Sequence, residues 1–166
     1  MNAGDAAAVW IHGLSAKANR VTELALLPLT VAFVAIIFSS VLTRFVFHYP
    51  IVESVELSRL AFVWAMCLAS AIGVYRHAHV AIFNLRDRMP PAWRRGVVIV
   101  VHLLCAAFGA LMAVYGIELA VRVWPTTFPT LGWSQAWLYL PLAVAGVLIT
   151  LHGVSQALTP QDVAQP

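Results

Sequence analysis

The chain has 166 residues, of which 61% are hydrophobic and 10% are charged, and its formal net charge is +3. A soluble domain carries about 25% charged residues, so this composition excludes an ordinary soluble domain and indicates a membrane protein. The basic residues flank apolar segments and form no basic face, which favours a role in membrane topology over binding of nucleic acid.

Four apolar segments are long enough to cross a bilayer as helices, which requires about 20 residues each. Their approximate boundaries are residues 22–47, 51–77, 94–123 and 135–158. The sequence therefore predicts an all-α membrane protein in which residues 1–166 form a single four-helix domain. The polar residues before the first segment contain one small apolar cluster and could form a short interfacial helix at the N terminus.

The second segment has a polar stripe when it is read as a helix. Steps of three and four residues place one set on a single face: Glu56, Arg59, Val63, Met66, Ser70, Gly73 and His77. A second set lies away from this stripe and is predicted to face lipid: Leu57, Leu60, Trp64, Leu68, Ile72 and Tyr75. An unpaired charge in a span costs on the order of a few kcal/mol, so the stripe is predicted to contact protein. The simplest interpretation is that Glu56 and Arg59 neutralise each other and hold helices together.

The third segment carries two further helical patterns. Gly109, Ala113 and Gly116 form a stripe of small residues, which predicts close packing against another helix. Near the end of the segment, Glu118 precedes Arg122 by four residues, which is the favourable order for an ion pair along a helix.

The basic residues predict the orientation in the membrane. With four spans, both termini lie on one side together with the loop between the second and third spans. Seven basic residues belong to that side: Lys17, Arg20, Arg76, Arg86, Arg88, Arg94 and Arg95. The opposite side has Arg44 and Arg122, with Arg59 just inside the membrane, so both termini are predicted to be cytoplasmic.

Two histidines suggest an alternative function. His102 and His152 have similar predicted depths in the third and fourth spans, and four-helix membrane bundles can hold a haem between such a pair. The simpler interpretation is that each histidine hydrogen-bonds within the bundle. A haem- or quinone-binding anchor subunit of a redox complex therefore stays open, as does a stand-alone small exporter. No enzymatic activity is predicted, because the sequence has no Ser/His/Asp array, phosphate loop or hydrolytic carboxylate pair.

Four stretches of the chain occur in a recognisable order. They are ESVELSRLAFVWAMCLASAIGVYR, the following His79-Val80, the basic loop RDRMPPAWRR, and TTFPTLGWSQAWLYLPLAVAG. In this order and at these spacings, the chain from about residue 25 to residue 158 resembles the small, four-helix permease subunit of TRAP transporters, the DctQ-like family.

The resemblance implies the small scaffold subunit of a tripartite, binding-protein-dependent, sodium-coupled importer of small organic acids in the bacterial inner membrane. Its implied partners are a large DctM-like permease subunit, a periplasmic DctP-like substrate-binding protein and membrane lipid. The large subunit would bind the sodium, so no cofactor is expected in this chain. The residues predicted to hold the bundle together or contact the large subunit are Glu53, Glu56, Arg59, Ser70, Gly73, His79, Glu118 and Arg122.

Overall fold

The computed structural model describes residues 3–76 and 91–158, with side chains described for residues 9–76 and 96–158. The helices in these ranges are α1 (Ala3–Val46), α2 (Glu53–Tyr75), α3 (Pro91–Arg122) and α4 (Ala136–Leu158). Each of them contains a segment that is long and apolar enough to cross a membrane. The predicted all-α membrane protein with four apolar helices is therefore confirmed.

Helix α1 is longer than the predicted first span. It has 44 residues, which corresponds to about 66 Å at 1.5 Å per residue. The residues predicted to form a short interfacial helix at the N terminus are helical, but from Ala3 onward they form the first turns of α1 itself. No proline or turn interrupts the chain there, and one side of this extension is buried at Ser15 and Asn19.

A tight turn reverses the chain between α1 and α2. The amides of Phe47 and Tyr49 both donate to the carbonyl of Thr43 at 3.2 Å, and His48 adopts a φ of 55°. Beside the turn, the hydroxyls of Ser40 and Ser54 are 2.8 Å apart. These bonds position α1 and α2 as the antiparallel pair that the short connection predicts. We call this end of the bundle, which also contains the loop between α3 and α4, the distal end.

Helix α4 is the central helix of the bundle, because it packs against α1, α2 and α3. Small residues such as Ala143 and Ala145 are buried along it, which lets neighbouring helices come close. The C-terminal end of α4 lies beside the N-terminal half of α1, where it contacts His12 and Ser15. We call this end of the bundle the proximal end.

A seam of small residues joins α3 to α4. A Cβ atom added to Gly109 would lie 2.7 Å from the amide nitrogen of Thr150, and one added to Gly116 would lie 2.7 Å from that of Ala143. A Cβ atom added to Gly146 would likewise overlap with the backbone of Ala113. The predicted packing stripe of small residues on the third span is therefore confirmed, with glycines on α4 as its counterpart.

Candidate partner-binding surface and interhelical contacts

The inner side of α2 is its apolar side. Leu60, Leu68 and Ile72 are 8%, 7% and 8% exposed, so the prediction that these residues face lipid is wrong. The physical reason is that the interior of a membrane bundle can be as apolar as lipid. Hydrophobicity alone therefore cannot tell the two environments apart.

The outer face of α2 consists of Arg59, Met66, Ala69, Ser70 and Gly73. Its first four residues are exposed, and a Cβ atom added to Gly73 would meet nothing within 4 Å. The hydroxyl of Ser70 donates to the carbonyl of Met66 at 2.9 Å, so its hydrogen-bonding capacity is met within the helix. This part of the predicted polar stripe thus points away from the bundle, and its small residues leave room for another helix to come close.

Glu56 and Arg59 do not pair with each other. The Glu56 carboxylate accepts hydrogen bonds from the backbone amides of Thr130 at 3.2 Å and Leu131 at 2.9 Å. Arg59 has no ion pair or hydrogen bond with any residue that the structure describes. The interpretation that the two charges neutralise each other is therefore wrong, because the Glu56 carboxylate accepts hydrogen bonds from two backbone amides and none from Arg59.

The loop between α3 and α4 is folded so that it presents these amides. Phe128 is buried and its amide donates to the carbonyl of Trp133 at 2.8 Å, while the amide of Gln135 donates to Thr126 at 2.8 Å. Gly132 turns the chain with a φ of 70°, which glycine adopts without strain. Adjacent amides that point in one direction form an anion-binding concavity, and here the anion is Glu56.

Trp64 bonds a carbonyl that Pro141 leaves without a helical partner. Proline has no amide hydrogen, so the carbonyl of Trp137, four residues earlier in α4, receives no helical hydrogen bond. The indole Nε1 of Trp64 donates to this oxygen at 3.0 Å. Trp64 therefore joins α2 to α4 and, like the leucines above, does not simply face lipid.

At the proximal end, polar side chains join α2 to both neighbouring helices. The Nε2 of Gln156 donates to the carbonyls of Val74 at 3.1 Å and Tyr75 at 3.0 Å. The Nη2 of Arg76 donates to the Oε1 of Glu23 on α1 at 2.7 Å. Sequence reasoning did not identify Glu23 or Gln156, and the ion pair joins residues 53 positions apart.

His152 is fully buried and contacts α1 and α2. Its Nδ1 lies 2.7 Å from the hydroxyl of Ser15, and its ring lies 5.1 Å from the ring of Tyr75. His102 lies on α3, and its carbonyl would be only 2.9 Å from a Cβ atom added to Gly153 of α4. A haem held between His102 and His152 requires the two helices to stand apart, whereas their backbones touch. The geometry therefore does not fit a haem at this place.

The other predicted site residues lie at the surface. Glu118 and Arg122 form the predicted ion pair at 2.8 Å, with both side chains more than half exposed. Glu53 is exposed at the start of α2. His79 lies outside the described residues.

Comparison with known proteins identifies a family that matches most of the chain. Residues 33–161 match the family described as tripartite ATP-independent periplasmic transporters, DctQ component. The sialic acid TRAP transporter small permease protein SiaQ of Vibrio cholerae is 30% identical over 135 residues, which cover 81% of this chain and 78% of SiaQ. The sialic acid TRAP transporter permease protein SiaT of Haemophilus influenzae is 31% identical over 124 residues, which cover 73% of this chain and 20% of SiaT.

Proposed function

Because the chain belongs to the DctQ component family of tripartite ATP-independent periplasmic transporters, we propose that it is the small scaffold subunit of a sodium-coupled importer of small organic acids. The importer depends on a periplasmic binding protein and lies in the bacterial inner membrane, with both termini of this chain in the cytoplasm. The chain itself catalyses no reaction. Substrate and sodium bind to the large permease subunit.

The similarity to the Haemophilus influenzae permease supports association with a large subunit. The similar segment covers only 20% of that protein, so it is one part of a much longer polypeptide. A counterpart of this chain is thus covalently joined to the rest of a permease in that relative. In the present protein the corresponding contact joins this four-helix domain to the large permease subunit.

The outer face of α2 is the observation that carries this proposal. Arg59 lies six residues into an apolar helix, is exposed, and has no partner among the described residues. A cation in a span is costly unless it is paired or reaches water, so a neighbouring protein at this face stabilises the helix in the membrane. Ala69, Ser70 and Gly73 below it let a partner helix approach closely.

The remaining predicted residues have lesser roles. Glu56 acts within the chain by holding the distal loop, and Glu118 and Arg122 satisfy each other's charge. We assign Glu53 to the periplasmic surface and His79 to the cytoplasmic surface, where each can add a peripheral contact to a partner.

Reconstitution tests the proposed function. Proteoliposomes are prepared with a large permease subunit of a TRAP transporter, with and without this chain, and supplied with the matching binding protein and an organic acid. Sodium-driven uptake is expected only when both membrane subunits are present. Uptake by the large subunit alone, or transport by this chain alone, would contradict the proposal, and the second result would favour the stand-alone exporter.

A further inference from the structure

Three helices meet at a buried polar junction near the proximal end. The junction consists of Ser15 and Asn19 on α1, Tyr75 on α2, and His152 and Gln156 on α4. Ser15 and His152 are 1% and 0% exposed, and the hydroxyl of Ser15 lies 2.7 Å from the Nδ1 of His152. Asn19 and Gln156 are also buried, with exposures of 6% and 8%.

Each of three junction side chains has one buried polar atom that bonds no residue in the described ranges. These atoms are the Oδ1 of Asn19, the Nε2 of His152 and the Oε1 of Gln156. A buried polar atom without a hydrogen bond destabilises a folded protein, and native structures contain few of them. Three such atoms in one junction therefore indicate that a further molecule bonds them.

The other polar atoms of the same side chains fix their orientation. The Nδ2 of Asn19 donates to Glu23 at 2.8 Å, and the Nε2 of Gln156 donates to the carbonyl of Tyr75 at 3.0 Å. The amide groups thus cannot rotate to satisfy their oxygens without losing these bonds. The Nδ1 of His152 is likewise engaged by Ser15, which leaves Nε2 as the open position.

Two of the three side chains contact the last turn of α2. His152 stacks at 5.1 Å against the ring of Tyr75, and Gln156 bonds the carbonyl of the same residue. Asn19 lies one helical turn from Ser15, and Gln156 lies one turn from His152. Small hydroxyl side chains at Ser15 and Ser155 occupy little volume in this region.

We propose that ordered water occupies this junction, bound through the Nε2 of His152 and the amide oxygens of Asn19 and Gln156. One water can donate to both amide oxygens and accept from the imidazole when Nε2 carries the hydrogen. In the other tautomer a second water is needed, because each water has only two hydrogens to donate. Buried waters typically make about three hydrogen bonds to polar groups that otherwise lack a partner. The junction is therefore a hydrated connection between α1, α2 and α4, in contrast to the dry glycine seam between α3 and α4.

An electron cryo-microscopy map at about 2 Å resolution, of the wild-type chain with its large subunit in lipid nanodiscs, tests this inference. We expect a water peak within hydrogen-bonding distance of the Nε2 of His152, with further contact to at least one of the two amide oxygens. A junction without such a peak, or one filled by a lipid chain or a protein side chain, would overturn the inference.

Hydroxyl-radical labelling by short X-ray pulses provides a second measurement, because radicals form from water bound inside the protein. His152 is expected to be oxidised at least several-fold faster in the wild-type chain than in the Asn19→Leu/Gln156→Leu variant, which lacks both amide oxygens. Phe128, which is also buried, serves as the internal reference and should label equally in both chains. Equal labelling of His152 in a variant that still assembles would contradict the inference.

Discussion

Glu56 illustrates how one residue can be assigned to the wrong partner when only the sequence is considered. Its spacing from Arg59 favours an ion pair along the helix, whereas its carboxylate bonds two backbone amides of the distal loop. Both arrangements involve the ionised carboxylate, and the folded loop decides between them because it places two convergent amides at Glu56. Glu56 therefore determines the position of a loop, and Arg59 is left available to another chain.

We predict that Glu56→Gln loosens the distal loop. A neutral amide accepts the two hydrogen bonds more weakly, and its own NH2 group repels the amide donors, so the loop opens more often. Amide hydrogen exchange at Thr130 and Leu131 should accelerate by about tenfold, which corresponds to about 1.4 kcal/mol. Hydrogen exchange followed by mass spectrometry measures this change.

Glu53→Gln is the matched control for that experiment. Glu53 is an exposed acid in the same first turn of α2, and no described residue donates a hydrogen bond to it. Exchange in the loop should not change in this variant. If the Glu53 and Glu56 variants gave the same exchange rates, the assignment of Glu56 to the loop would be wrong.

At the scale of helices, the bundle combines two kinds of contact. Helices α3 and α4 touch through glycine, so their packing depends on shape. Helices α2 and α4 are joined by side chains that bond backbone carbonyls, through Trp64 and Gln156. The first kind is sensitive to added volume, and the second to loss of a hydrogen-bond donor.

We predict that Gly146→Ala destabilises the bundle by about 1–3 kcal/mol, the usual cost of overpacking a close interface. The added methyl group would meet the backbone of Ala113, which cannot move as a flexible side chain can. Thermal unfolding in detergent should show a lower midpoint than in the wild-type chain. Gly73→Ala is the control, because the space around Gly73 is open. A similar drop in the unfolding midpoint of both variants would contradict the close packing of α3 against α4.

We predict that Trp64 and Pro141 are energetically coupled. Trp64→Phe removes the indole donor and should cost about 1–3 kcal/mol, because the carbonyl of Trp137 then has no partner. Pro141→Ala restores a helical amide for that carbonyl, so Trp64→Phe should cost less in that background. A double-mutant cycle on unfolding midpoints measures the coupling, and additive effects would exclude it.

The helices themselves were predictable because about 20 consecutive apolar residues suffice to indicate a span. The glycine seam was also predictable, since Gly109, Ala113 and Gly116 recur on one face of a helix. The burial of the inner side of α2 was not predictable, because Leu60 and Leu68 suit lipid and protein interior equally well. The proximal contacts were not predictable either, since Ser15 and His152 lie 137 positions apart and bear no motif.

At the scale of the whole molecule, the chain presents one unusual surface. Many exposed residues of α1 and α3 are apolar, including Val31 and Leu111, and lipid can cover them. The outer face of α2 differs, because it combines the unpaired Arg59 with the small residues Ala69, Ser70 and Gly73. This difference supports assembly with a large permease subunit through α2.

The central claim is that the outer face of α2 binds the large permease subunit. The most direct test is the amount of large subunit that co-purifies with the tagged chain after co-expression. Ser70 is exposed on this face, so Ser70→Trp adds a bulky ring outside the bundle. Val31→Trp adds the same ring to an exposed position on α1. We expect Ser70→Trp to reduce the co-purified large subunit by at least tenfold, and Val31→Trp to leave it unchanged. Full recovery with Ser70→Trp in a chain that remains folded would contradict the claim.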